Sequence, residues 1–295
     1  MPSRRVGSTQ QRTVKYRHSF HAGNFADVFK HVILLEILQA LCRKETAFFV
    51  LDTHAGEGAY ELAPPQSQPP PEHCDGVSRV LAAADHPALR AYVELIRKLG
   101  AAPDRNGLAL YPGSPLIIAT RLREQDRAVL FELRAAAAGA LERRMQPYGN
   151  VSVHRQDGYA ALRSQLPPRE RRGLVLIDPP YESPPEEFAL VERALGEGHR
   201  RWATGVYAIW YPIKRREPVD AFQARLKAGG MRKILCAELT LFPPDSRVSL
   251  NGCGMIIVNP PFQLESSLRE ALPALHSALA GRTGSRGACF WLVPE

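Results

Sequence analysis

Gly173-Leu174-Val175-Leu176-Ile177-Asp178-Pro179-Pro180-Tyr181 is the stretch on which both fold and chemistry turn. Its first five residues carry no polar side chain. They read as a strand buried on both faces, the pattern of a parallel sheet covered by helices. The polar break at Asp178 then falls at the carboxyl end of that strand, the edge at which open α/β sheets bind ligands. Two prolines stiffen the loop and remove backbone donors that would compete. Asp178 and the Pro179 carbonyl can each accept one hydrogen of an exocyclic amino group, and Tyr181 offers a ring face to a planar base. An aromatic amine is a weak nucleophile because its lone pair is delocalised into the ring. Two acceptors on its hydrogens draw the nitrogen toward tetrahedral geometry and free that lone pair to attack a methyl on a sulfonium. Orientation and charge stabilisation supply the larger share of such catalysis. Taken as four residues alone, Asp178–Tyr181 also reads as a rigid turn.

Upstream, Ala47-Phe48-Phe49-Val50-Leu51-Asp52 is a second buried strand, and it runs into Thr53-His54-Ala55-Gly56-Glu57-Gly58. Glycines at a strand-to-helix turn let the backbone approach a nucleotide-like ligand. The third glycine of the dinucleotide fingerprint is missing, since Glu61 stands there, and this argues against a dehydrogenase. An acidic residue ending the next sheet strand can accept ribose hydroxyls, usually about 20 residues further on. The candidate is Glu132 in Leu130-Phe131-Glu132-Leu133, 74 residues after Gly58. An insertion of about fifty residues reconciles the two spacings, and the Pro-rich and helical block at 59–112 supplies it. Asp157-Gly158 reads equally as an acceptor for an adenine amino group and as a plain helix N-cap.

The alternation continues along the chain. Strands are expected near 128–132, 150–154, 173–178, 204–211, 231–239, 253–259 and 288–293, with helices near 76–84, 87–99, 135–146, 157–165, 185–196, 217–228 and 263–279. A further helix starts after the N-cap Asn24, with Phe25, Val28, Phe29, Val32, Leu35 and Leu38 at helical spacing. Ser114 and Pro115 read as an N-cap and first helical residue. Pro-Pro-Gln-Ser-Gln-Pro-Pro-Pro at 64–71 admits neither helix nor central strand. The fold class is α/β, a doubly wound sheet.

Of the 295 residues, 45% are hydrophobic and 23% charged, which excludes a disordered or fibrous chain. The net charge is +8, but Arg4, Arg5, Arg12 and Lys15 contribute half of it before any acidic residue. Bulk charge is therefore weak support for a nucleic-acid partner. Residues 1–15 read as a flexible basic tail. Their removal is expected to weaken nonspecific nucleic-acid binding and its salt dependence more than any activity of the folded part, as a salt series of binding curves would show. Five scattered cysteines (42, 74, 236, 253, 289) read as ordinary thiols of a reducing compartment. No apolar run reaches the roughly 18 residues of a membrane helix, and no signal-peptide core is present at the start. The expected location is cytoplasmic. The block Tyr16–His31 holds histidines at 18, 21 and 31, not a zinc spacing, and reads as a ligand- or phosphate-contacting segment or as a solvated helix end. The basic runs at 169–172, 199–201 and 214–216 are solvated surface by default, or grip a phosphate backbone if they share the face of Asp178.

Together these residues resemble the RlmJ-type (YhiR-like) 23S ribosomal RNA adenine-N6 methyltransferases. The resemblance runs from Tyr16 to Glu295. Its carriers are Tyr-Arg-His-Ser-Phe-His-Ala-Gly-Asn from 16, Leu-Asp-Thr-His-Ala-Gly from 51, Tyr-Pro-Gly-Ser-Pro from 111, Leu-Ile-Asp-Pro-Pro-Tyr-Glu from 176, and the closing Trp291-Leu292-Val293-Pro294-Glu295. It implies a Rossmann-like class I S-adenosylmethionine-dependent methyltransferase domain, over 16–58 and 113–295, with a small inserted helical subdomain at 59–112. It implies S-adenosylmethionine contacts from His31, His54, Ser114, Glu132, Asp157, Gly158 and Asp178. Asp178 would be the catalytic residue, with Tyr16, His18 and Lys30 beside Pro179 and Tyr181 on the substrate side. The tail before Tyr16 and the Pro-rich stretch depart from the family pattern.

The function expected is a base-flipping enzyme that moves one methyl to the N6 of an adenine in 23S ribosomal RNA, since a stacked, paired adenine hides that amine. The RNA would be largely free of ribosomal proteins and the enzyme a monomer, without metal or membrane. The alternatives are a DNA adenine-N6 methyltransferase and a non-catalytic nucleic-acid-binding protein on the same fold.

Overall fold

The computed structural model describes residues 21–295 except 65, 68, 84, 85, 103–106, 244, 245, 247–249 and 280–283. The tail at 1–15, Tyr16 and His18 lie outside the described residues. Helix α1 (Phe25–Cys42) begins where the Asn24 side chain accepts the Ala26 and Asp27 amides. It is apolar around most of its circumference, so it is buried on most sides. Strand β1 (Phe49–Asp52) is wholly buried. A ribbon follows, in which β2 (Ala59–Glu61) pairs antiparallel with β3 (Leu110–Pro112). Between its arms lie 3-10 turns at Glu72–Cys74 and Pro87–Leu89 and the helices α2 (Val77–Ala82) and α3 (Arg90–Gly100). Then come α4 (Ser114–Ala119), β4 (Arg127–Phe131), α5 (Ala135–Met145), β5 (Val151–His154), α6 (Gly158–Gln165) and β6 (Gly173–Ile177). The chain finishes with α7 (Pro184–Arg201), β7 (Val206–Ile213), α8 (Arg216–Ala228), β8 (Ile234–Thr240), β9 (Gly252–Val258), α9 (Leu264–Ala278) and β10 (Arg286–Val293).

Among the described residues eight strands form one sheet in the order β10-β8-β9-β7-β6-β1-β4-β5. Pairing is parallel from β5 to β7, and antiparallel between β7 and β9, β9 and β8, and β8 and β10. From β1 the chain moves outward through β4 and β5, then returns to β6 on the other flank. The order therefore reverses between β1 and β6, the switch point at which such Rossmann-like sheets open a crevice. One face of the sheet is covered by α1, α4, α5, α9 and the apolar residues of 59–112, in a single continuous core. The other is covered by α6, α7 and α8. No described helix is long and apolar enough to cross a membrane.

Three expectations need correction. Residues 87–99 are not one helix, because Pro87–Leu89 form a 3-10 turn on which His86 caps the Ala88 amide before α3 begins. The block 59–112 is not only helical, since the β2–β3 ribbon closes it with three residues on each side. Ser114 is the first residue of α4 and caps nothing, because its hydroxyl is taken by a buried carboxylate described below.

Candidate active site

Register brings the acidic residues to one edge. Asp52 pairs across with Leu176 of β6 and with Leu130 of β4, so Asp178 and Glu132 each lie two residues beyond it on flanking strands. Asp52 is fully buried and accepts the Ser114 hydroxyl at 2.7 Å and the His54 amide at 3.2 Å. Burial pushes its carboxyl up to about 6, against the lowering effect of those two donors. Thr53 donates its hydroxyl to Leu176 O at 3.0 Å. That uses its one proton, so at 2.8 Å the His54 Nδ1 is the donor to Thr53 Oγ1 and its Nε2 is left as an acceptor. Burial holds His54 below its ordinary pKa, hence neutral.

Lys30, on α1, reaches across 148 residues of sequence to Asp178 Oδ2 at 2.6 Å and also touches Asp27 Oδ1 at 3.1 Å. Burial opposes the ammonium charge, but the two carboxylates outweigh it and hold Lys30 above the ordinary lysine range. Asp27 is itself tied to the helix entry by the Gly23 amide at 3.0 Å. Among the described residues Asp178 Oδ1 has no hydrogen-bond donor, so one oxygen of this carboxylate is fixed and the other is open. Pro179 is buried beside it. Tyr181 is only 9% exposed. Its hydroxyl donates to Trp210 O at 2.8 Å and its ring packs on Phe188 and Trp210. It therefore anchors the loop, and it does not present the open stacking face expected of it.

His31 follows Lys30 on α1 and stacks on Tyr111, with Nδ1 2.9 Å from the Tyr111 hydroxyl. Its Nε2 is buried with no partner, a place where a ligand atom would relieve an unmet hydrogen bond. Burial pushes its pKa down to about 3, so folded His31 stays neutral where the unfolded chain takes up a proton below pH 6.5. The unfolded state then binds more protons, and stability falls as pH drops from 6.5 toward 3, by up to about 1.4 kcal/mol per pH unit. Asp52 has the opposite sign between 6 and 3.8, because its folded form is protonated first. Chemical denaturation at several pH values should show a shallower acid-side slope in His31→Gln than in the wild type; equal slopes would refute the assignment.

Glu132 Oε2 accepts the Gly56 amide at 3.0 Å and Oε1 the Arg134 amide at 2.8 Å. Gly56 has φ +63°, and a Cβ there would lie 2.2 Å from the Tyr60 hydroxyl, so the turn requires glycine. Asp157 accepts the Tyr159 amide at 2.9 Å as N-cap of α6. His54 stands edge-on to Tyr159, with centroids 4.9 Å apart. The structure thus gathers Lys30, His31, His54, Ser114, Glu132, Asp157, Gly158, Asp178 and Pro179 at the carboxyl edge of β1, β4 and β6. Sequence reasoning missed Asp52 as the partner of Ser114 and Asp27 as the partner of Lys30; the second was within reach, because Asp27 and Lys30 are three apart on a helix. The basic run 169–172 precedes β6 and lies at the opposite edge from Asp178. Among the described residues no group of His, Cys, Asp and Glu is placed to hold a metal.

A family model described as "Ribosomal RNA large subunit methyltransferase D, RlmJ" matches residues 45–293. The chain is 41% identical over 284 residues to Ribosomal RNA large subunit methyltransferase J of Escherichia coli (strain K12), covering 96% of this chain and 100% of that protein. It is 42% identical over 283 residues to the protein of the same name from Haemophilus influenzae, with the same coverage. Among solved structures, protein LPL1258 from Legionella pneumophila superposes with a TM-score of 0.81 at 31% identity, over 92% of this chain and 97% of that one.

Proposed function

Because the chain belongs to the RlmJ family of ribosomal RNA large subunit methyltransferases, we propose that it transfers a methyl group from S-adenosylmethionine to the N6 amino group of one adenine in 23S ribosomal RNA. The observation that carries this reading is the Asp178 carboxylate, fixed through Oδ2 by Lys30 and open at Oδ1, at the strand edge that also bears Asp52 and Glu132.

The residues present fit that methyl donor. Glu132 is an acceptor for ribose hydroxyls, Asp157 and Gly158 open α6 toward an adenine amine, and His31 keeps a buried Nε2 without a partner. His54, Ser114 and Asp178 complete the contacts. When bound, S-adenosylmethionine supplies an electrophilic methyl on a positively charged sulfur. Asp178 Oδ1 and the Pro179 carbonyl accept the two amine hydrogens of the flipped adenine and turn its lone pair outward. As the nitrogen becomes cationic, the Asp178 carboxylate stabilises the charge and is placed to take the proton. Lys30 holds that carboxylate in one orientation, and the Tyr181 hydroxyl on Trp210 O holds the loop. Tyr16 and His18 belong to the RNA side of this reading. The substrate is RNA largely free of ribosomal proteins, met by a monomer in the cytoplasm.

The test is methyl transfer to deproteinised, unmodified 23S ribosomal RNA in competition with unmodified duplex DNA, followed by mapping of N6-methyladenine. One methylated adenine in the RNA is expected. Preferential labelling of DNA would move the chain to the DNA enzymes, and absence of S-adenosylmethionine binding by calorimetry would make it a binding protein.

A further inference from the structure

The edge of the sheet opposite Asp178 carries chemistry that methyl transfer does not use. Where α1 ends and β6 and β7 begin, a groove of about 280 Å³ is lined by Leu41, Arg43, Lys44, Arg172, Pro261 and Phe262, among others. Phe262 is 84% exposed, the most open large apolar side chain among the described residues. Arg43 donates to Gln263 Oε1 at 2.7 Å, which ties the loop carrying Phe262 to the end of α1. Arg172 donates to the carbonyls of Thr46 and Leu41, which carry no charge to neutralise it. Among the described residues Arg43, Lys44 and Arg172 form no ion pair. Their neighbours Arg123, Arg127 and Arg169 are matched by Asp126 and Glu170. A second groove, of about 480 Å³, has Arg169 and Arg171 on its wall. The basic run at 169–172 therefore reaches into both.

Cations at the end of α1 offset its dipole, and that would account for Arg43 and Lys44 alone. It does not account for an open phenyl ring beside them. Glu36 and Asp126 act on Arg43 and Arg172 only from beyond ion-pair distance. A ring flanked by cations outside ion pairs is the combination that holds single-stranded nucleic acid, with a base on the ring and phosphates against the charges. We propose that this groove grips a single-stranded segment of the same RNA whose adenine reaches Asp178, so that the substrate is held at both edges of the sheet. The inference rests on the RNA reading above. The five residues of β6 between the two edges span about 16 Å, so an RNA longer than the target nucleotide and its immediate neighbours is needed to touch both.

The experiment uses the full chain with Phe262→Ala, Phe262→Trp and Lys44→Ala. None of these residues belongs to the methyl-transfer site, and Phe262 is too exposed for its loss to unfold the protein. The probes are deproteinised 23S ribosomal RNA in steady-state assays and a labelled uridine oligonucleotide of about twelve residues in anisotropy. Phe262→Ala is expected to raise KM for the ribosomal RNA and weaken oligonucleotide binding about tenfold, with kcat unchanged. Phe262→Trp should keep both near wild type, and Lys44→Ala should reduce the salt slope by about 0.7. Wild-type KM and oligonucleotide binding in Phe262→Ala would overturn the proposal, as would equal loss in Phe262→Trp. If Phe262→Ala turned a dimer into a monomer in sedimentation while its RNA KM stayed put, the groove would be a self-contact and the proposal would fall. A wild-type protein that transfers no methyl to RNA would sink the functional reading, and this inference with it. An active wild type with unaffected variants would sink this inference alone.

Discussion

Asp178→Asn should lower kcat for methyl transfer by about a thousandfold and leave a folded protein. The substitution keeps the shape of the side chain, so the expected loss lies in charge and in hydrogen-bond direction. Lys30 sits 2.6 Å from Oδ2 and can only donate. An asparagine at 178 must therefore turn its oxygen to Lys30 and its NH2 toward the crevice, where a donor would face the hydrogens of the substrate amine. Asn is then no better than Ala, although it is the conservative choice. Single-turnover rates with saturating RNA and S-adenosylmethionine read the chemical step directly. A kcat within tenfold of wild type for either variant would remove Asp178 from the catalytic role.

Gly158→Ala is the second large effect, and it acts on the scaffold. A Cβ at this position would lie 1.9 Å from the Thr53 carbonyl oxygen and 2.6 Å from its carbon. Both atoms are backbone, and Thr53 is itself held to β6 through its amide and hydroxyl on Leu176 O. Neither side can yield cheaply, so α6 must back away from the β1 loop. We expect a loss of about 3 kcal/mol in folding stability and at least tenfold weaker S-adenosylmethionine binding, because His54 and Tyr159 are displaced together with the Asp157 cap. Gly149→Ala is the control, since a Cβ there meets nothing within 4 Å, and it should stay within about 0.5 kcal/mol of wild type. Denaturant midpoints and calorimetry on both variants decide the matter. Equal stability of the two would show that the β1 loop and α6 are not pressed together.

The strands were legible because buried parallel strands write themselves as unbroken apolar runs. β1 and β6 fall within a residue or two of where the runs at 47–52 and 173–178 place them. The edge position of Asp178 and Glu132 was legible too, as a polar residue ending each run. What local pattern could not show is what closes over distance. Ser114 looks like a cap from its neighbours, and only the buried Asp52, 62 residues away, takes its hydroxyl instead. The Lys30–Asp178 pair joins a helix to a loop 148 residues later, and no periodicity encodes that. Tyr181 sits beside two prolines in a loop that reads as open, yet the Trp210 carbonyl draws it inward. The β2–β3 ribbon is too short to leave an alternation signal.

The segment between β2 and β3 has a consequence for chimeras of related chains. Val77, Val80, Leu89, Tyr92 and Ile96 lie in the same core as Val28 and Phe29 of α1, and Tyr92 bonds the Tyr111 hydroxyl that His31 also touches. The Val77 amide donates to Gly23 O at 2.8 Å, and Gly76 comes so close to that oxygen that a Cβ would lie 2.1 Å from it. A segment that shares its interior with α1 is not a cassette. Exchanged between relatives without α1, it would bring the wrong half of a common core, and such a chimera is expected to be less stable than either parent.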